Sequence, residues 1–199
     1  VTGNEAAKML LVAAGYDAQL EGLTGNDWAI KTASLASTLG IFDNLSVATS
    51  DPLTRDNAAL LIYNALDIEM IQKYENGYAI AFTDHRTLLS AKYGVYKIEG
   101  VVVSNEEALN NTDSDFASAK GKTTMENVKV YASTTSNTTT GEYEEVKGQV
   151  VFNVSTTADM LGKTVTMYAK KTTVLSNSTV LGVYLDDASN VVKTTADTQ

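Results

Sequence analysis

Arg55 is the residue in this 199-residue chain whose setting most clearly implies chemistry. It follows Thr54, a good helix N-cap because its hydroxyl can accept a hydrogen bond from one of the unpaired first-turn N–H groups. A guanidinium at a helix N-terminus adds fork-shaped donors to a place that already favours anions. The competing reading is a surface arginine paired with Asp51 or Asp56. Trp28 offers a face on which a sugar ring can stack, yet at the start of an amphipathic helix the commoner role is a core anchor. Tyr63 beside Ile62 is read in the same way, as packing before groove lining.

Other reactive residues lack the partners their chemistry needs. His85, the only histidine, stands between Asp84 and Arg86 with no Gly-x-Ser-x-Gly frame, so a surface role is expected. Asn111, Asp113 and Asp115 have the alternate spacing of a calcium loop. Phe116 stands where the loop glycine belongs and Lys122 where the bidentate glutamate belongs, so the EF-hand reading fails. Asp186-Asp187 with Asn190 is a turn signal before it is a metal site. No phosphate-binding loop or dinucleotide fingerprint is present, and nothing points to paired carboxylates for glycoside hydrolysis. No catalytic residue, metal or cofactor is implied.

The helix behind Thr54 is amphipathic, with Ala58, Leu61, Ile62 and Ala65 recurring at three- and four-residue spacing. Moved back by 52 positions, Leu53–Asp67 falls on the opening of the chain: Thr54 on Thr2, Ala58 and Ala59 on Ala6 and Ala7, Ala65 on Ala13. A fixed period of this size is the mark of a modular array. Gly3 occupies the place of Arg55 in the first copy. Helices are expected at residues 5–14, stopped by Gly15, and at about Trp28–Leu39, capped by Asn26 or Asp27 and stopped by Gly40. The longest is expected at about Arg55–Tyr74. Ile41, Phe42 and Leu45 should fold back on the helical core from a connector that runs to Pro52, the only proline.

The period, the Thr-Arg opening, Asn26-Asp27-Trp28-Ala29, Leu39-Gly40-Ile41 and the Ala-Ala-Leu-Leu-Ile-Tyr run together resemble the S-layer homology (SLH) module. The resemblance covers roughly the first 70 residues. It implies a helical cell-wall-binding unit, usually assembled from three modules, on the surface of a Gram-positive-type bacterium. The ligand it implies is a secondary cell-wall polysaccharide, anionic and typically pyruvylated. Carried over by position, the implied polysaccharide-binding residues are Arg55, Thr54, Asp56 and Trp28, although the resemblance also suits Trp28 to the core. Other S-layer subunits are implied as further partners. Gly3 means that one of the two visible motifs is degenerate.

Composition bounds the alternatives. The formal net charge is −9, divided as −6 over residues 1–75 and −3 over residues 76–199. Neither part offers a basic face for nucleic acid. Without cysteine there is no disulfide scaffold, thiolate metal site or cysteine nucleophile. No apolar run reaches membrane-spanning length, so membrane insertion is not expected. The chain opens in mid-repeat on a capping box, Thr2-Gly3-Asn4-Glu5, and is expected to be a piece of a longer exported protein with earlier modules upstream.

After Tyr74 the composition changes to Val, Thr and Tyr. Tyr78–Phe82 alternates weakly like a strand, and Thr87–Lys92 suits one helical turn. Strands are expected at Val95–Ser104, Met125–Ala132, Gln149–Ser155, Thr164–Lys170 and Val180–Leu185, with a short helix at Thr157–Leu161. Short strands in this number must hide their edges, which favours a small barrel, OB-like, with a sandwich next. Ser133–Thr140 should be an exposed hairpin loop, and Lys193–Gln199 the start of a linker.

The expected fold class is therefore α+β: an SLH-like helical domain at 1–75 (a partial repeat 1–16 and a full repeat at about 17–70), a linker at 76–92, a β-barrel or sandwich domain at 93–193 and a tail at 194–199. The expected function is non-catalytic anchoring at the cell wall. Two alternatives stand beside it: a purely structural module with degenerate repeats, and the non-catalytic part of a surface hydrolase.

Overall fold

The computed structural model describes residues 1–107, 118–132 and 143–186. The fold is mixed α+β and divides into two compact units, Val1–Tyr93 and the chain from Gly94 onward. The expected loop at Ser133–Thr140, the Asn111, Asp113 and Asp115 cluster, Asp187 and Asn190, and the C-terminal linker lie outside the described residues.

The first unit contains α1 (Gly3–Ala13), α2 (Trp28–Thr38), α3 (Arg55–Leu66), the strands β1 (Ile71–Glu75) and β2 (Tyr78–Ala81), and a short helix α4 (Leu88–Tyr93). α1 begins with a complete capping box: the Glu5 N–H donates to the Thr2 hydroxyl at 3.3 Å, and the Thr2 N–H donates to the Glu5 carboxylate at 2.8 Å. That second bond chiefly holds the Glu5 carboxyl below its ordinary range. α1 and α2 then end alike. Gly15 and Gly40 take positive φ (97° and 74°), and the residue after each, Tyr16 or Ile41, donates its N–H back to the carbonyl of Leu11 or Ala36. Both closing residues are buried, so each helix stop also adds to the core. Ala7, Leu11, Ala36, Leu61 and Ala65 meet there with Leu23 and Ile41 from the loops, while Phe42 and Leu45 pack against its margin.

α1 and α3 run parallel, because their ends are tied in register. Near the N-termini the Leu53 N–H donates to the Val1 carbonyl at 2.9 Å; past the C-termini the Ile71 N–H donates to the Ala14 carbonyl, also at 2.9 Å.

The third helix is shorter than its pattern suggests. It stops at Leu66, and residues expected to continue it to Tyr74 include β1 instead. The Glu75-Asn76-Gly77 break is a hairpin turn, with Asn76 and Gly77 both at positive φ (51° and 83°). Such a two-residue turn matches the twist of the strands it joins, and β1 pairs antiparallel with β2 through it. Nor is 76–92 a linker: β2 lies in that hairpin and Leu88 of α4 is buried in the helical unit's core.

Tyr74 fastens β1 to the loop after α1. The Asp17 N–H donates to its hydroxyl at 3.0 Å, and the hydroxyl donates to Glu21 at 2.8 Å. Burial above all, with the Glu21 carboxylate adding to it against the opposing pull of the Asp17 N–H, pushes this hydroxyl up to about 12.

The second unit is one antiparallel sheet of six strands: β3 (Val95–Ser104), β4 (Thr123–Tyr131), β5 (Tyr143–Val146), β6 (Val150–Phe152), β7 (Thr164–Lys170) and β8 (Thr179–Leu185). The order is β5-β4-β3-β7-β8, with β6 also paired to β4. β3 and β7 have the bounds expected from their Val-, Thr- and Tyr-rich runs. β5 was not foreseen, and the 150s yield a three-residue strand rather than Gln149–Ser155. The expected closed barrel is not found: among the described residues β8 and β5 are separate ends of an open path, with no pairing between them. A 3-10 turn at Ala158–Met160 takes the place of the expected short helix.

One irregularity sets which side chains fill the sheet's core. Glu99 faces Lys129 but Val101 faces Glu126, so Gly100 alone stands against Asn127 and Val128. Asn127 takes a φ of 53°, and the bulge switches the fully buried positions of β4 from Thr123 and Met125 to Val128 and Val130. Gly100 leaves room for the crossing. A Cβ there would lie 2.9 Å from the Met125 methyl and 3.0 Å from the Glu126 carbonyl oxygen. At the strand ends the buried Asn105 amide donates to the carbonyls of Thr156 (3.2 Å) and Thr157 (3.1 Å), so its polar group is satisfied where water is excluded.

Two outcomes follow. Gly100→Ala should destabilise the sheet unit by about 1–3 kcal/mol, the usual effect of overpacking, read as a lower urea midpoint at unchanged slope. For Tyr74, a raised folded pKa means stabilisation that is full below pH ~10, the unfolded tyrosine value, and lost as pH rises through about 12. The stability advantage of wild type over Tyr74→Phe should therefore shrink across that interval in urea titrations; a constant difference would contradict the role given to the hydroxyl.

Candidate functional site

The two repeat copies begin with the same cap and then differ in what their first amides meet. At α1 the open donors are used internally. The Gly3 N–H donates to the Asp51 carbonyl at 3.3 Å and the Asn4 N–H to the Thr49 carbonyl at 2.8 Å. With the Glu5 N–H on Thr2, the first three amides of α1 all have partners inside the chain. This explains glycine at position 3: a Cβ would lie 2.9 Å from the Thr49 carbonyl oxygen and 3.0 Å from its Cα. The connector's backbone occupies the place that a side chain or an anion would need.

At α3 the Asn57 N–H donates to the Thr54 hydroxyl at 3.2 Å, leaving the first two amides, of Arg55 and Asp56, without a carbonyl partner among the described residues. Arg55 is exposed and forms no ion pair with Asp51, Asp56 or any other described residue. The paired-arginine reading is thus not what the structure contains. Thr54 and Arg55 stand on a groove between α1 and α3 whose other walls are apolar, among them Val1, Met9, Leu10, Ala58 and Ile62. Its chemistry is a fork of cationic donors and two open amides beside hydrocarbon, which suits an anionic group carried on a partly apolar ligand.

The four residues expected to bind do not converge. Thr54 and Arg55 share the groove. Asp56 is exposed and lies outside its lining, as does Trp28. Trp28 lines a second, shallow cleft with Glu5, Lys8, Met9, Thr24 and Gly25. It is half-buried at its edge rather than a member of the core, and the Lys8 ammonium sits over its ring at 5.3 Å. Met9 lines both depressions, so α1 separates them. The only signal of Lys8 in the sequence is a charge where the second repeat has Leu60. Asp27 caps α2 without a side-chain hydrogen bond.

The other candidates are engaged locally. His85 Nδ1 lies 2.7 Å from the Glu69 carboxylate, joining the end of α3 to the turn before α4. Arg86 pairs with Asp84 and lies over Phe82, 4.5 Å from the ring centroid, and the Arg86 hydrogen bonds hold the Asp84 carboxyl below its usual range. Neither arrangement includes a nucleophile. Tyr63 is exposed on α3, 58% accessible, rather than packed. No described helix is long and apolar enough to cross a membrane, and no cluster of three or more metal-ligating side chains occurs among the described residues.

No protein-family model, curated protein or solved structure matches the chain.

The blocked first repeat yields a direct test. Gly3→Arg, which would restore the repeat's own motif, should instead destabilise the helical unit by about 1–3 kcal/mol, because the new Cβ meets fixed backbone rather than a movable side chain. Thermal unfolding followed by circular dichroism measures it; an unchanged or higher midpoint would show that the connector can leave α1.

Proposed function

We propose that the helical unit is an SLH-type module that attaches its protein non-catalytically to an anionic secondary cell-wall polysaccharide on a bacterial surface. The observation that carries this reading is Arg55: an unpaired guanidinium on the rim of an apolar groove, at a helix start with two open amides. A sugar bearing a carboxylate beside a small apolar substituent matches that combination of donors and hydrocarbon. The Thr-Arg motif and the 52-residue period support the same reading. In this proposal the sheet unit is a spacer or assembly module within a surface layer, and other subunits of that layer are its neighbours.

A second reading has its own observation. α1, whose N-terminus is filled by the Thr49 and Asp51 carbonyls, no longer has a binding end, so the repeat serves structure alone at that copy. A fragment structural at both copies would have no affinity for wall polymer.

Cosedimentation with purified Gram-positive sacculi, with and without their secondary polymer, separates the two. Wild type should sediment only with polymer-bearing walls, and Arg55→Ala should weaken that binding about tenfold or more, the usual loss for a charge-assisted contact. Added salt should weaken the wild-type interaction, since the site is exposed. Equal sedimentation of wild type and variant would remove Arg55 from the site, and no sedimentation of either would leave the structural reading.

A further inference from the structure

The two helices that carry the 52-residue repeat bury different sides of themselves. Counted from their N-caps, Thr2 and Thr54, α1 buries its first, fifth and ninth positions, Gly3, Ala7 and Leu11. α3 buries its third, seventh and eleventh, Asn57, Leu61 and Ala65. In each case the equivalents in the other copy are exposed: Glu5, Met9 and Ala13 on α1, and Arg55, Ala59 and Tyr63 on α3. Met9 and Tyr63 are both 58% accessible. Each helix therefore presents to solvent the line that its repeat mate uses for packing.

Within the chain, one line of each kind shares a single core between parallel helices. The two lines left over are again one of each kind, and they match in order. Arg55 stands level with Glu5 in charge, small Ala59 with long Met9, and bulky Tyr63 with small Ala13. The buried lines alternate in the same way, with Ala7 against Leu61 in rank and Leu11 against Ala65. The groove beside these lines also leaves Val1 73% and Ile62 52% accessible, an apolar strip for which burial is favourable. We propose that a second copy of this chain docks here, with α3 of each protomer laid parallel to α1 of the other, repeating the packing found inside the chain. Two such contacts close a dimer with twofold symmetry and leave no helix line unmatched.

Sedimentation equilibrium of the purified chain, with no wall polymer present, should show reversible monomer–dimer association. Met9→Lys and Tyr63→Asp should each weaken it about tenfold or more, as for central contact residues, with unchanged far-ultraviolet dichroism because both side chains are exposed. An equimolar mixture of the two variants regains one intact contact, and should associate more than either variant alone. A wild-type chain that stays monomeric, or a dimer indifferent to both substitutions, overturns the proposal. The dimer would cover Arg55 and its groove, so a second copy and wall polymer would compete for this face; with the polymer absent, the experiment tests the dimer alone.

Discussion

The helical unit depends on main-chain hydrogen bonds that clamp two parallel helices at both ends. Val1, Gly3 and Asn4 exchange backbone bonds with the connector at Leu53, Asp51 and Thr49, and Ala14 accepts from Ile71 beyond α3. Parallel neighbours need a long return path, and that path is where the amides of α1 find their acceptors. The same clamp decides chemistry. It fills one helix start and leaves the other open, so two copies of one motif acquire different capacities from a difference in backbone placement. Gly3 is the residue that this placement requires, and Arg55 is the residue that its absence permits.

Much of the local structure was legible because local rules governed it. Thr2 and Thr54 cap, Gly15 and Gly40 stop, and Ile41 returns to the core from the connector as expected. β3 and β7 are runs rich in Val, Thr and Tyr, β7 with buried side chains on alternate positions, and both match the bounds expected from the sequence. The failures have physical causes. β1, with the sequence IQKYE, has one charge pattern in either conformation, and its strand state comes from pairing with β2 through a turn whose geometry only Asn76 and Gly77 reveal. β5, with the sequence YEEV, is short and half charged, and exists by its register against β4. Barrel closure was inferred from the need to hide edges, a global condition that strand patterns do not encode.

The site was legible in part for the same reason. A cap followed by arginine is a local signal, and Thr54 and Arg55 do share one groove. That Asp56 and Trp28 stay outside it depends on how α1 passes between α2 and α3, which no spacing within one segment records. The meaning of Gly3 was equally hidden. As a sequence it reads as a lost arginine, whereas in the fold it marks a contact made 46 residues away by the carbonyl of Thr49.

Parallel packing of α1 and α3 has a consequence for polarity. Helix dipoles laid side by side in the same sense do not cancel; their positive ends accumulate on one rim and their negative ends on the opposite one. A further repeat added in the same manner would place its N-terminus on the rim where Thr2 and Thr54 already lie. Such an array is vectorial: a module whose first amides stay open, as at α3, adds positive potential to that rim, whereas one closed by backbone carbonyls, as at α1, adds little, even though the chain as a whole is acidic.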